Sequence, residues 1–480
     1  MIKSAARIIC FLLILAFCLG YTNSVFKFKY GDGIYDVTKF YELDDNTVDV
    51  LFLGSSHAFE NFNTGTLWDE YGMSSYVLAG SVQPMWNTYY YLKEALKTQR
   101  PGLIVLEGYC TILSMEFIDD SRIIKNNYGL HWSKDKIESL KISSPQERWR
   151  EFFLEYTQYH TRYNELTSED FLQDQGNPLY TAWKGFGCNM DTKPFKQIDI
   201  SNVADRAPLF DKTEKYYRAT IELALENNIP VIVVISPYAG IKEQDQQMFN
   251  TANDIAEEYN IPFLNCNLLS NDIGIDWAVD AADPDHLNYR GNQKFSKYIG
   301  QYIVDNYEIP DHRGEEKYSS WQDDANYIRQ MIYDQELTEC SELSAITQKL
   351  KNENYWIFMS LSGSCNTANT MFSELFDSVG IPKNGKTGIW FAAKDGVQWD
   401  SSMDGGEFFK TTNSNDFHLK SSMYENGNCR NEIIIDNTDY TNVVSGLNIV
   451  IFDTMTKKVA DSIGFNVYND YAINHWKHYE

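Results

Sequence analysis

The spacing of apolar residues changes character about two thirds of the way along this chain. In the first part, short unbroken apolar runs recur, each ending in glycine or small polar residues. VLFL at 50–53 closes on Gly54, SSYVLAGS at 74–81 contains Gly80, and LIVLEGY, IPVIVVISPY and IPFLNC follow. Unbroken runs of this length predict strands covered on both faces, as in a parallel sheet. Between them, residues 84–99, 213–227, 243–259 and about 290–306 carry apolar residues at helical spacing, with Pro84 near the first turn of its helix. Strand and helix in alternation are the signature of βαβ units. The rhythm breaks over 143–200, where RWREFFLEYTQYHTRYNEL and YTAWKGFGC concentrate aromatic residues. That stretch is expected to be a mostly helical insertion over the carboxyl edge of the sheet. A charged, Pro- and Gly-bearing stretch from Glu308 marks a boundary. Beyond it the pattern is one of strands and hairpin turns with one helix, TANTMFSELFDSVGI. The expected organisation is therefore an amino-terminal segment (1–30), an α/β domain (31–310), a linker with a helix (311–350) and a small β-rich sandwich domain (351–480).

Composition sharpens this picture. The 480 residues are too many for one ordinary domain, and 43% hydrophobic content with 32 Tyr and 27 Phe supplies real cores. A formal net charge of −26 disfavours nucleic acid and anionic lipid headgroups as partners. At the amino terminus, Lys3 and Arg7 precede an apolar run from Ile8 to Leu19. This is the layout of a secretory signal or signal-anchor. An uncleaved single span is expected, with the bulk of the chain outside the cell membrane. Cys18 follows the bulky Phe17, so lipidation is not expected. Of eight cysteines, six lie beyond this segment; none has CxxC spacing, and no metal site or cofactor is expected.

The chemistry concentrates at two places. GSSH is the expected turn after the first predicted strand, and DPDHLN (283–288) precedes the last predicted helix of the α/β part. A serine at the carboxyl edge of a parallel sheet and an Asp-x-x-His downstream are the parts of a nucleophile, base and orienter set. GSSH followed by DxxHLN resembles the SGNH/GDSL hydrolase superfamily, and most closely the bacterial membrane-anchored proteins of that type that handle acyl groups on cell-surface polymers. The resemblance spans roughly 47–309. It implies an SGNH-type parallel sheet flanked by helices, with Ser56 as nucleophile, His286 as base and Asp283 as its orienter. Asp285 ranks second as orienter, and His57, adjacent to Ser56, is expected to pack locally. For an oxyanion hole the resemblance points to the backbone N–H groups of Ser56 and Gly80. Where the family carries a third-block Asn, this chain has LEGYC. Gln83 or Asn87 would have to substitute, with Gln83 preferred. YHTRY resembles an element of the same group, so His160 and Arg162 are expected to contact substrate.

The ending GLNIVIFD…GFNVY resembles an interleukin-like EMT inducer (ILEI/PANDER) domain over about 355–470, which implies a small β-sandwich, some of which bind sugars. Trp399, in the polar stretch GVQWDSS read as a loop, is the expected sugar contact, whereas Trp390, inside GIWFAA, is expected to be core. Together the resemblances imply a serine-dependent esterase or O-acyltransferase acting on an exported polysaccharide or teichoic-acid-like polymer, with a membrane acyl-donor protein as a candidate partner. The alternative is a non-catalytic glycan-binding surface protein on a degenerate fold of the same type.

Overall fold

A computed structural model describes residues 2–27, 32–153, 155–171, 183–403, 405–423 and 429–475. The chain forms two compact units, Met1–Asn326 and Tyr327–Glu480. The division falls inside the helix Ser319–Thr338, within the stretch expected to be a linker.

In the first unit, strands β1 (Val50–Gly54), β2 (Ser75–Ala79), β3 (Leu103–Glu107), β4 (Val231–Ile235) and β5 (Phe263–Asn265) form one parallel sheet in the order β2-β1-β3-β4-β5. The unbroken apolar runs prove to be two interleaved period-2 patterns. Leu51, Leu53, Ile104, Leu106 and Val233 enter one core cluster with Tyr91, Tyr217 and Met248 from the helices Met85–Ala95, Asp211–Glu226 and Glu243–Glu258. Val50, Phe52, Val105, Ile232 and Val234 enter a second cluster on the opposite face with Leu67, Phe295, Ile299 and Ile303 from the helices Thr64–Tyr71 and Tyr289–Asn306. Burial on both faces forces apolar residues at every position, each contributing roughly 1.5–3 kcal/mol.

The strand order places a topological switch at β1, since the chain leaves β1 for β2 on one side and returns to β3 on the other. Ligands of open α/β sheets bind at the carboxyl ends of such strands. Gly54 ends β1 there because a Cβ at this position would lie 2.7 Å from the Cβ of Glu107 at the end of β3.

The insertion is helical only in part. Trp149–Phe153 and Tyr156–Tyr159 are single helical turns, and His160–Asn164 is a 3-10 turn. From 187 to 200 the chain has no helix and runs as an irregular strap. The strap is tied down by Gly187 N–H to Phe59, Lys193 N–H to Ala281 and Phe195 N–H to Trp277 (2.8–3.0 Å). At the amino terminus, the helix Ile2–Phe26 contains a stretch, Ala6–Phe26, of 21 residues and mean hydropathy 2.1, long and apolar enough to cross a membrane.

The second unit has two antiparallel sheets among the described residues. One holds six strands: β6 (Tyr355–Leu361), β7 (Gly388–Ala393), β8 (Gly396–Ser401), β13 (Gly446–Asp453), β14 (Lys458–Asn466) and β15 (Ile473–His475). The other holds four: β9 (Gly406–Thr411), β10 (Asp416–Met423), β11 (Cys429–Ile435) and β12 (Thr438–Asp439). Phe358, Ile389 and Phe391 of the first sheet pack on Phe417, Leu419 and Ile433 of the second. The other face of the six-stranded sheet is covered by the helices Leu343–Lys349 and Ser373–Val379. Trp390 is fully buried in that cluster, as its apolar setting predicts. Trp399 departs from expectation. It lies in β8 rather than in a loop, half-buried, with its ring 5.4 Å from that of Phe408. The polar letters around it are the outward positions of a strand, and the tryptophan takes the inward one.

Candidate active site

The two serines after Gly54 divide the labour. Ser55 is the N-cap of the short helix Ser56–Phe59, and its hydroxyl accepts the His57 N–H at 3.4 Å. Ser56 is the first helical residue, so its side chain stands at the carboxyl edge of β1, partly exposed, while Ser55 beside it is fully buried.

The DPDH segment is a turn closed on the Asp283 carboxylate. Asp283 Oδ1 accepts the N–H groups of Asp285 (2.8 Å) and His286 (3.0 Å), and Ala282 N–H returns to the His286 carbonyl. The same carboxylate receives His286 Nδ1 at 2.9 Å. This fixes the tautomer: with Nδ1–H donated to Asp283, the neutral ring offers Nε2 as an acceptor. Ser56 Oγ lies 2.9 Å from that nitrogen, across 230 residues of sequence. Asn288 then caps the helix Tyr289–Asn306, accepting from Arg290 and Gly291 N–H.

The electrostatics suit a base. Burial opposes a charged His286, but the Asp283 hydrogen bond and the carboxylates of Glu60, Asp283 and Asp285 outweigh it, and the pKa is raised above the ordinary histidine value. Asp283 is itself partly desolvated, yet its bond to His286 holds it below the usual carboxylate range. His57 behaves differently. It is 1% exposed, stacked on Tyr109 with ring centroids 3.6 Å apart and 5.2 Å from the His286 ring. Burial, with the charge of His286, holds it well below the ordinary value, so it is a neutral wall of the site. Beneath them, Glu107 is fully buried at the end of β3, and desolvation pushes its pKa up to about 8, against the N–H groups of Tyr109 and Ser236. Desolvation also raises Asp285.

Several groups at the site were not singled out from the sequence. Glu60 follows the Ser56 helix, four residues after Ser56 and one turn above it, with its N–H bonded to the Ser56 carbonyl at 2.9 Å. Its Oε1 is 4.0 Å from His286 Nε2, and Asn189 of the strap donates to its Oε2 at 3.4 Å. Burial raises the Glu60 pKa, opposed by His286 and Asn189. The buried amides of Asn61, Asn63 and Asn292, with Ser296, join the serine turn to the histidine loop. Leu287 N–H donates to Asn61 (3.1 Å), Asn63 Nδ2 donates to Asn292 (3.1 Å), and Asn63 N–H donates to Ser296 (2.7 Å). The sequence signal for Glu60 was its spacing, since positions i and i+4 share a helix face.

The remaining predicted residues have other attachments. Gln83 is fully buried; its Nε2 donates to Asn126 (3.2 Å) and its Oε1 accepts from Thr88 (3.2 Å). Asn87 is also fully buried and donates to Asn127, Ser139 and Ser143. Gly80 has no room for a Cβ because the Asn126 amide occupies that position. Arg162 is buried and committed to Asp170 (2.9 Å) and to the carbonyls of Phe26 and Lys27 at the end of the amino-terminal helix. A salt bridge and two carbonyls account for a buried guanidinium in structural terms. The His160 side chain lies outside the described residues.

No family model matches the chain, and no curated protein matches it. Among solved structures, it is similar to a GDSL-like lipase from Bacteroides thetaiotaomicron, at 13% identity over 56% of this chain and 96% of that one, with a TM-score of 0.29. It is also similar to a protein described as lipolytic and of the G-D-S-L family from Desulfitobacterium hafniense, at 12% identity over 54% of this chain and 100% of that one, with a TM-score of 0.28. At such identities and scores, the functional reading rests on the geometry of Ser56, His286 and Asp283.

Proposed function

We propose that the chain is a serine-dependent acyl-ester enzyme of the SGNH type, an esterase or O-acyltransferase held at a membrane by its amino-terminal helix and acting on exported cell-surface glycans. The observation that carries the chemistry is the continuous relay from Ser56 Oγ to His286 Nε2 and from Nδ1 to Asp283, at 2.9 Å in each step. In this reading, Ser56 Oγ attacks the ester carbonyl carbon while His286 takes its proton. Asp283 holds the ring and stabilises the imidazolium. The tetrahedral intermediate collapses as the leaving alcohol takes the proton from Nε2. The Ser56 N–H, at the free amino end of its helix, is the first donor to the oxyanion. Gln83 is a weaker donor in this scheme, because its amide already donates to Asn126. The glycan target rests on the family resemblance of GSSH and DPDHLN and on the β-rich second unit.

The test is intact-protein mass spectrometry after incubation with 4-nitrophenyl acetate or a fluorophosphonate. A single adduct mapping to Ser56, absent from Ser56→Ala, is expected; labelling elsewhere, or none, defeats the reading.

A further inference from the structure

We propose that Glu60 and His286 together seat the water that releases the acyl group from Ser56, so that the site hydrolyses esters in preference to passing acyl groups to simple alcohols. This inference rests on the acyl-ester reading above and settles a choice that reading leaves open.

The gap between Glu60 Oε1 and His286 Nε2 is 4.0 Å. That is too long for a direct hydrogen bond but is spanned by one oxygen lying at about 2.8 Å from each. The Glu60 side chain is 18% exposed. Its backbone is fixed by the N–H bond to Ser56 and by Asn292 Nδ2, which donates to the Glu60 carbonyl at 3.3 Å. The carboxylate therefore stands at a set position beside the reacting nitrogen.

Donor counting decides what fits. A carboxylate only accepts hydrogen bonds, and so does Nε2 once Nδ1–H is given to Asp283. Before acylation, the Ser56 hydroxyl supplies the proton that Nε2 accepts. Once Ser56 carries an acyl group, Oγ is an ester oxygen and Nε2 lacks a donor. An oxygen bridging Nε2 and Glu60 must then donate twice. Water does so; a monohydric alcohol has one proton and leaves one acceptor facing its lone pairs. In the step itself, the water oxygen bonds to the acyl carbon and one of its protons passes to Nε2. The carbon–Oγ bond breaks and Oγ takes the proton from Nε2. Glu60 keeps the second hydrogen bond and its protonation state throughout. It orients the nucleophile, and it is the acceptor-selecting residue of the site.

The experiment measures the products formed from 4-nitrophenyl acetate by the full chain in the presence of 1-propanol, as the ratio of propyl acetate to acetate. The wild type is expected to form mainly acetate. Glu60→Gln, whose amide can donate to an alcohol oxygen, is expected to raise the ratio about tenfold, the worth of one charge-assisted hydrogen bond. Glu60→Asp, which keeps an acceptor-only group, is expected to retain water as acceptor. Glu60→Ala serves if circular dichroism shows the Gln variant misfolded. A wild type that forms mainly propyl acetate, or a ratio unchanged in a folded Gln or Ala variant, overturns the water seat while leaving the Ser56 reading intact. Nitrophenolate release no greater than that of Ser56→Ala overturns the ester reading and the seat with it.

Discussion

Among the described residues, an aspartate holds a histidine through Nδ1 twice. In the first unit, Asp283 holds His286 through Nδ1 at 2.9 Å; in the second, Asp461 holds His475 through Nδ1 at 2.6 Å. The two pairs differ in what the far nitrogen meets. His286 Nε2 faces a hydroxyl that can donate, so the ring can be a neutral base. His475 Nε2 faces the carbonyl of Cys340 at 2.8 Å, which only accepts. Both nitrogens of His475 must therefore donate, and the ring is satisfied only as an imidazolium. One pair is poised to take a proton; the other is a clasp that keeps one, tying β14 and β15 to the chain after the helix Ser319–Thr338. An Asp–His contact by itself therefore says little about chemistry.

The sharpest way to break this comparison is to remove the partners of the first pair. Ser56→Ala and His286→Ala should each lower ester turnover by on the order of 10⁴-fold or more, with the double variant little worse, because the members act as a unit. His475→Ala should leave turnover within a few-fold. A comparable loss in the second unit would erase the distinction.

A smaller effect is expected from Asp283→Asn, about 10³- to 10⁴-fold in kcat, through loss of the tautomer and of imidazolium stabilisation. The pH profile refines it. The base must be neutral, and the folded site raises the His286 pKa. Turnover should therefore climb with pH through a midpoint above the ordinary histidine value, near 6.5. Asp283→Asn should move the residual midpoint downward. A midpoint at or below 6.5 in the wild type would contradict the charge balance described for the site.

The smallest effect is on stability. His475 is raised by the Asp461 hydrogen bond, against partial burial, and further by the Cys340 carbonyl. A histidine raised in the folded state stabilises fully below its unfolded pKa and loses that contribution as pH rises through the folded value. His475→Gln should cost roughly 1–2 kcal/mol at pH 5.5, with the gap from wild type narrowing as pH rises towards 9, followed by denaturant unfolding. A gap independent of pH would mean the clasp works without its charge.

Much of this was legible in the sequence where the cause is local. The buried strands announced themselves because two-sided burial leaves no polar positions, and Asp283 reaches His286 within one turn whose geometry the spacing sets. Legibility failed where orientation depends on residues far away. Gln83 sits close to Gly80 in sequence, but Asn126 and Thr88 decide where its amide points. Arg162 is claimed by Asp170 and by the end of the amino-terminal helix. The polar neighbours of Trp399 suggested a loop, although they are the outward half of a strand. Glu60 stays hidden in the sequence because GSSH reads as a turn, and only the short helix Ser56–Phe59 brings out its i, i+4 relation to Ser56.

The buried amides that join the serine turn to the histidine loop have a consequence in time. Leu287 reaches Asn61, and Asn63 reaches Asn292, across 226 and 229 residues. No fragment that ends before His286 contains both halves of the site, and a chain still being synthesised up to that point holds only an inert serine. Contacts this distant in sequence are also among the slowest to form. Reactivity therefore appears late, and acylation of Ser56 by an activated ester during refolding would report the moment at which the two ends of the first unit meet.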